Sequence, residues 1–238
     1  MPPVTGTIQL FIFLILIYLA YRFYRVSLSE KNFISKFFSL VFILFGLIFF
    51  ILGLPAIFLI ENQSIWKIVV ISTCLLQFLS AGVIGYIIFY LSFPRISPKW
   101  GYLLSLVEIP LVLPSIIYPS FYSFGSYGVA NLEIDPLAGA LRYVGILIFI
   151  IPAGIVFLRQ AVSAKDKRIR IRAFGLGASF LGFTAVYLSD FILVNIFKLN
   201  SIIGDLLLAG SFLILLLILI LTPRIMHRSD AKTINKSP

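Results

Sequence analysis

Apolar residues run along this chain in long blocks separated by short polar breaks. A helix rises about 1.5 Å per residue and a bilayer's hydrocarbon core is about 30 Å thick, so about 20 apolar residues make one crossing. Seven blocks reach that length, at about 4–24, 37–60, 66–92, 101–119, 138–159, 173–197 and 201–222. Strands of a membrane barrel would be shorter and would alternate apolar with polar residues, whereas Leu213 to Leu221 is an unbroken aliphatic run. The breaks are Ser27–Asn32, Glu61–Ser64, Pro94–Lys99, a long connection from Ser120 to Pro136, a basic loop from Arg159 to Arg172, and a turn at Lys198–Asn200. Pro223 ends the last block, because proline cannot continue a helix. The pattern predicts an all-α bundle of seven membrane-spanning helices over residues 1–223, followed by a short basic tail over 224–238.

Composition agrees. Of the 238 residues, 61% are hydrophobic and 12% are charged, against about 25% charged in an ordinary soluble domain. So apolar a chain of this size cannot hide its side chains in a water-soluble core. No positive charge precedes the first apolar block, which argues for a retained first helix rather than a cleaved signal.

The basic residues orient the bundle, because cytoplasmic loops collect Lys and Arg. With seven crossings, one face takes Arg22, Arg25, Lys31, Lys36, Arg95, Lys99, Arg159, Lys165, Lys167, Arg168, Arg170, Arg172, Arg224, Arg228, Lys232 and Lys236. The other takes only Lys67, Arg142 and Lys198. A missed helix would invert every later loop and mix the two sets. The expectation is a multi-pass plasma-membrane protein with its N-terminus outside and its C-terminus in the cytoplasm. Aromatic residues at the ends of the blocks, Trp66 and Trp100 among them, suit the membrane interfaces. The net charge of +10 is then a topology signal, with anionic lipid as its partner and no nucleic acid required.

Ionisable residues at membrane depth are costly and tend to mark function. Arg142, Asp190 and Asp205 fall toward the outer leaflet and form a candidate ligand pocket, with Arg142 expected to pair with one of the two acids. Glu108 falls in the middle of the fourth block, at the depth of Gln77 and Thr73 in the third, where a hydrogen-bonded acid is expected. One such acid does not make a proton pathway. Small residues let helices approach closely in lipid. Ala81 with Gly85 in the third block, and Gly175, Ala178, Ser179 and Gly182 in the sixth, are the candidate packing faces.

Several chemistries lack their residues. His227 is the only histidine and Cys74 the only cysteine, too few for a haem, metal or thiol-redox site. There is no nucleophile elbow and no phosphate-binding loop, so no enzyme and no cofactor is expected. Microbial rhodopsins share the helix count and orientation but carry a lysine in the seventh helix, and 201–222 contains none.

The basic loop Lys165-Asp166-Lys167-Arg168-Ile169-Arg170-Ile171-Arg172 leads directly into the glycine-rich start Ala173-Phe174-Gly175-Leu176-Gly177. With that loop, the helix count, the orientation and the longer outer connection before the fifth block, the chain resembles the seven-helix N-terminal sensor region of prokaryotic histidine kinases. Only Arg224 to Pro238 follow Pro223, so the resemblance implies a stand-alone sensor- or receptor-like bundle without the kinase part. Lys165, Lys167, Arg168, Arg170 and Arg172 would then meet a cytoplasmic signalling partner or anionic lipid. The competing class is a small transporter or channel, which needs a continuous polar route and is favoured by inverted repeats; neither is evident. Changing Lys165, Arg168 and Arg170 to Glu should scramble topology or insertion. Protease accessibility of the two faces measures this, and unaltered cleavage on both would contradict it.

Overall fold

The computed structural model describes residues 4–192 except 30, 32, 59–61, 119–120, 125–129 and 134, together with helical turns between 202 and 217. Three long helices come first: α1 (Val4–Ser29), α2 (Phe33–Phe58) and α3 (Gln63–Ser92). They are followed by a broken helix made of α4 (Trp100–Leu104), a 3-10 turn (Ser105–Val107) and α5 (Glu108–Ile117). A hairpin of β1 (Phe121–Phe124) and β2 (Ala130–Glu133) then leads to α6 (Pro136–Ser163) and α7 (Lys167–Phe191).

Among the described residues, five helices are long and apolar enough to cross a membrane, namely Val4–Ser29, Phe33–Phe58, Ser64–Ser92, Trp100–Ile117 and Pro136–Ser163. Their outer surfaces are built for hydrocarbon. On α3, Ile68, Leu75 and Leu79 are 64%, 58% and 51% exposed, a distribution that water would penalise and lipid does not. The chain is therefore a helical membrane protein. The sixth and seventh apolar blocks overlap α7 and the helical turns between 202 and 217, and both continue into positions outside the described residues.

Local chemistry sets the helix boundaries. The Asn62 side chain accepts a hydrogen bond from Ile65 N and caps α3. The Asp135 carboxylate accepts from Leu137 N and Ala138 N, both at 3.0 Å, and Pro136 opens α6 at a position that needs no N–H donor. The first break is narrower than the polar run Ser27–Asn32 suggests. Ser27 and Ser29 return their hydroxyls to backbone carbonyls of α1, so the helix continues to Ser29, and Lys31 turns the chain with φ of 49°. Arg25 reaches back one turn and donates to the Tyr21 hydroxyl at 3.2 Å.

Two features depart from the sequence pattern. The connection from Ser120 to Pro136 is not a plain loop: it contains the antiparallel hairpin, in register Phe121 with Glu133 and Phe124 with Ala130. Backbone pairing satisfies groups that a bare loop would leave to water. The fourth span is also not one continuous α-helix. Pro110 cannot donate to the carbonyl four residues back and its ring crowds that carbonyl; the preceding residues tighten into the 3-10 turn from which Glu108 starts α5.

In lipid the hydrophobic effect between helices is weak, so close packing must supply cohesion. Gly6 on α1 meets Gly53 on α2, where an added Cβ would lie 2.9 Å from the Gly53 carbonyl oxygen. Gly85 on α3 meets Gly101 on α4 so closely that a side chain on either would run into the other's backbone. Gly154 on α6 meets Gly177 on α7, where an added Cβ on Gly177 would lie 3.0 Å from the Gly154 carbonyl oxygen. Phenylalanines fill the gaps between these pairs. Phe157 and Phe180 stack at 6.0 Å between α6 and α7, and Phe38 on α2 sits 5.3 Å from Phe157.

Gly85 and Ala81 thus lie in contact faces as their spacing suggests, but the sixth block uses Gly177 in its crossing, and a Cβ on Gly182 would meet nothing within 4 Å among the described residues. The reason is helical phase, which places Gly177 opposite Gly154 and turns Gly182 outward. Gly85→Ala or Gly101→Ala should cost about 1–3 kcal/mol or more by forcing α3 from α4. Gly182→Ala should be neutral or stabilise by up to ~1 kcal/mol through helix propensity. Reversible unfolding in mixed micelles measures both, and equal effects would contradict the crossing.

Candidate functional site

The buried positions of α3 recur with helical period, and polar residues interrupt the apolar ones along that stripe. Val69, Val70, Thr73, Cys74, Gln77, Ser80, Ala81 and Ile84 are all buried. Thr73 and Gln77 are one turn apart and share a face. That face meets Glu108, the first residue of α5, and Arg142, in the second turn of α6. Glu108 is wholly buried and Arg142 is 8% exposed.

The hydrogen bonds determine how each group points. Arg142 carries donors only. Its Nε donates to Gln77 Oε1 at 3.2 Å, and its terminal nitrogen donates to Thr73 Oγ1 at 3.1 Å. The Thr73 hydroxyl gives its own hydrogen to the Val70 carbonyl oxygen at 2.9 Å, so it meets the guanidinium with a lone pair. With its oxygen turned to Arg142, Gln77 must turn its nitrogen the other way. Nε2 donates to Glu108 Oε2 at 3.0 Å and to the Arg142 carbonyl oxygen at 3.3 Å. The cation and the acid are thus joined through one amide. This single side chain ties α3 to both α5 and α6.

Two further features shape the site. Gly145 lies one turn beyond Arg142 on the same face of α6, and a Cβ there would stand 2.6 Å from Glu108 Oε2; the missing side chain makes room for the carboxyl group. Glu108 Oε1, however, is buried with no hydrogen-bond partner among the described residues. Glu108 lines a cavity of about 10 Å³ together with Gln77, Ser80 and apolar residues that include Phe45, Ile84 and Phe149. Ser115 adds a second tie between α5 and α6 by donating to the Ala138 carbonyl oxygen at 3.4 Å.

Thr73, Gln77, Glu108 and Arg142 therefore form one cluster, whereas the sequence reading placed Arg142 in a separate outer pocket with Asp190 and Asp205. Reach accounts for the contacts that Arg142 makes. A residue seven positions into a helix can extend a long side chain a full turn deeper, and the polar groups within range belong to α3. The side chain of Asp190 and the whole of Asp205 lie outside the described residues, and so does any pairing through them. In the basic loop, Lys165, Lys167, Arg170 and Arg172 are exposed, and the side chain of Arg168 lies outside the described residues.

Sequence reasoning missed Ser80, Ser115 and Gly145, which are marked only by helical spacing from Gln77, Glu108 and Arg142. It also missed Gln9, a buried amide on α1 whose Oε1 has no partner among the described residues. Among the described residues, no three of His, Cys, Asp and Glu gather as a metal cage requires.

At the other end of the same helices, the C-termini of α3 and α6 lie side by side. They line a groove of about 710 Å³ that includes Leu91, Ser92, Ile155, Arg159, Gln160 and Ser163. Compared with family models, with curated proteins and with solved structures, the chain matches none.

Gln77→Leu should destabilise the bundle by about 3–5 kcal/mol, because it strips partners from a buried cation and a buried acid at once. The double variant Gln77→Leu with Arg142→Leu should lose less than the sum of the two single changes. Unfolding in bicelles gives all three values, and strict additivity would show that the contact carries no coupling.

Proposed function

We propose that this protein is a non-enzymatic, sensor- or receptor-like protein of the plasma membrane that signals through a separate cytoplasmic partner. In this reading it crosses the membrane seven times, with its N-terminus outside and its C-terminus in the cytoplasm. The observation that carries the reading is the hydrogen-bonded chain from Thr73 through Arg142 and Gln77 to Glu108. It joins three helices, and two of them, α3 and α6, run on to basic segments that begin after Ser92 and Ser163. A shift of Gln77 or Arg142 would be carried by rigid helices to their adjoining C-terminal ends. Signalling of this kind needs an element with two arrangements that a stimulus can bias, and hydrogen bonds through a neutral amide can be exchanged more readily than a direct ion pair. The surroundings favour this over transport. Beside the network lies a continuous apolar cluster that includes Leu16, Phe42, Ile84, Phe149 and Phe212, which offers no polar lining to a solute.

Spin labels at positions 92 and 163 in the full chain, reconstituted in lipid, report the spacing of the two helix ends. Gln77→Leu should shift the distance distribution relative to wild type. An unchanged distribution would detach the network from the basic face, and robust solute flux in proteoliposomes would place the protein among transporters instead.

A further inference from the structure

We propose that Glu108 and the small cavity against it form a hydrated proton-binding site, in which Oε1 takes the proton and donates it in a hydrogen bond to a single trapped water that also contacts the Ser80 hydroxyl. The two oxygens of Glu108 are not equivalent. Oε2 accepts from Gln77 Nε2 at 3.0 Å, which suits the carbonyl oxygen of a neutral acid as well as a carboxylate. Oε1 is wholly buried and has no partner among the described residues, and Glu108 is one of the residues that line the cavity. Left alone in a dry interior, such an atom carries the full desolvation penalty of an unsatisfied polar group.

The cavity's volume of about 10 Å³ is at the lower limit for one water, for which about 10–15 Å³ and two or more polar partners are needed. The polar residues of its lining are Glu108, Ser80 and Gln77, and Glu108 Oε1 and the Ser80 hydroxyl are the partners proposed. Ser80 gives its hydrogen to the Leu76 carbonyl oxygen at 2.7 Å, so its lone pairs are free to accept from water. The directions are then consistent: Glu108 donates to water, and water donates to Ser80. No bond within the protein breaks when the proton arrives. It adds to the carboxylate, and its carrier leaves as water.

The groups facing the carboxyl group allow this. From α3 come Thr73, Cys74 and Gln77; from α6 come Arg142 and Gly145; from α2 comes the apolar Phe45. Arg142 is the charged neighbour among the described residues, and it bonds to Gln77 and Thr73 rather than to the acid. Its charge therefore acts on Glu108 across an amide, which leaves the carboxyl group free to change protonation without losing a direct partner. The inference rests on the surroundings of Oε1 and is independent of any signalling role.

Infrared difference spectroscopy across a pH step, on the full chain in lipid nanodiscs, tests it. Wild type should gain a protonated-carboxyl C=O band at low pH, Glu108→Gln should lose that band, and transfer to heavy water should shift it in the wild type. Ser80→Ala, which removes one contact of the water and leaves the acid in place, should keep the band and move its frequency. If no band depends on Glu108, the proton site is wrong. If the band does not move in Ser80→Ala, the cavity is dry and the bridging water is wrong.

Discussion

A guanidinium and a carboxyl group buried among apolar helices can turn only to each other or to the few polar side chains within reach. Here they turn to Gln77. That choice constrains much else. An amide between donor-only Arg142 and the acid can be oriented in one way, with oxygen toward the cation and nitrogen toward the carboxyl group. The orientation draws α3, α5 and α6 to one point. It requires Gly145 on the face of α6 beside Glu108, and it requires a break before Glu108 that brings the carboxyl group onto α3. Pro110 supplies the local reason for that break.

The packing around the network follows from the same setting. Water does not drive helices together in lipid as it does in a soluble core, so cohesion comes from surfaces that fit. Glycines supply the fit at the crossings of α1 with α2, α3 with α4, and α6 with α7. Phenylalanines such as Phe38, Phe157 and Phe180 occupy the volume between them. A large polar residue at any of these crossings would have separated the helices that hold Gln77, Glu108 and Arg142 in register. The backbone approach of Gly85 to Gly101 sits closest to the network, on the same two segments that carry Gln77 and, beyond the 3-10 turn, Glu108.

Much of this was legible in the sequence, for a physical reason. Hydrocarbon thickness sets a length, and apolar runs of that length are visible without knowing how they pack; the five crossings found lie within a few residues of the expected blocks. The polar residues Thr73, Gln77 and Glu108 were visible because a polar side chain in an apolar run is conspicuous. What the pattern could not show was partnership. Counting residues from a helix end places the backbone of Arg142 in the outer part of its helix but says nothing of where a long flexible side chain finds acceptors, and those acceptors belong to a helix 65 positions away in the case of Gln77. The hairpin between Ser120 and Pro136 was hidden for a related reason, since its Gly, Ser and Tyr residues are equally at home in a loop. Gly182 shows the converse error: spacing identifies a face, but only the phase of the helix shows what that face meets.

The indirect contact between Arg142 and Glu108 is itself informative. A direct buried ion pair is hard to rearrange, because separating the charges in a medium of low dielectric leaves both uncompensated. An intervening amide changes the balance. Gln77 can shift its nitrogen between Glu108 and the Arg142 carbonyl oxygen, to which it already donates at 3.0 and 3.3 Å, while Thr73 continues to hold the guanidinium. Rearranging the network then means exchanging the acceptors of one amide, with the cation kept in place. The glycine crossings bring backbones into close contact, whereas the central polar contact runs through a single side chain, Gln77. Gln77 stands on α3, one of the two helices whose C-terminal ends border the same groove, and the network and the groove are therefore joined by continuous helix.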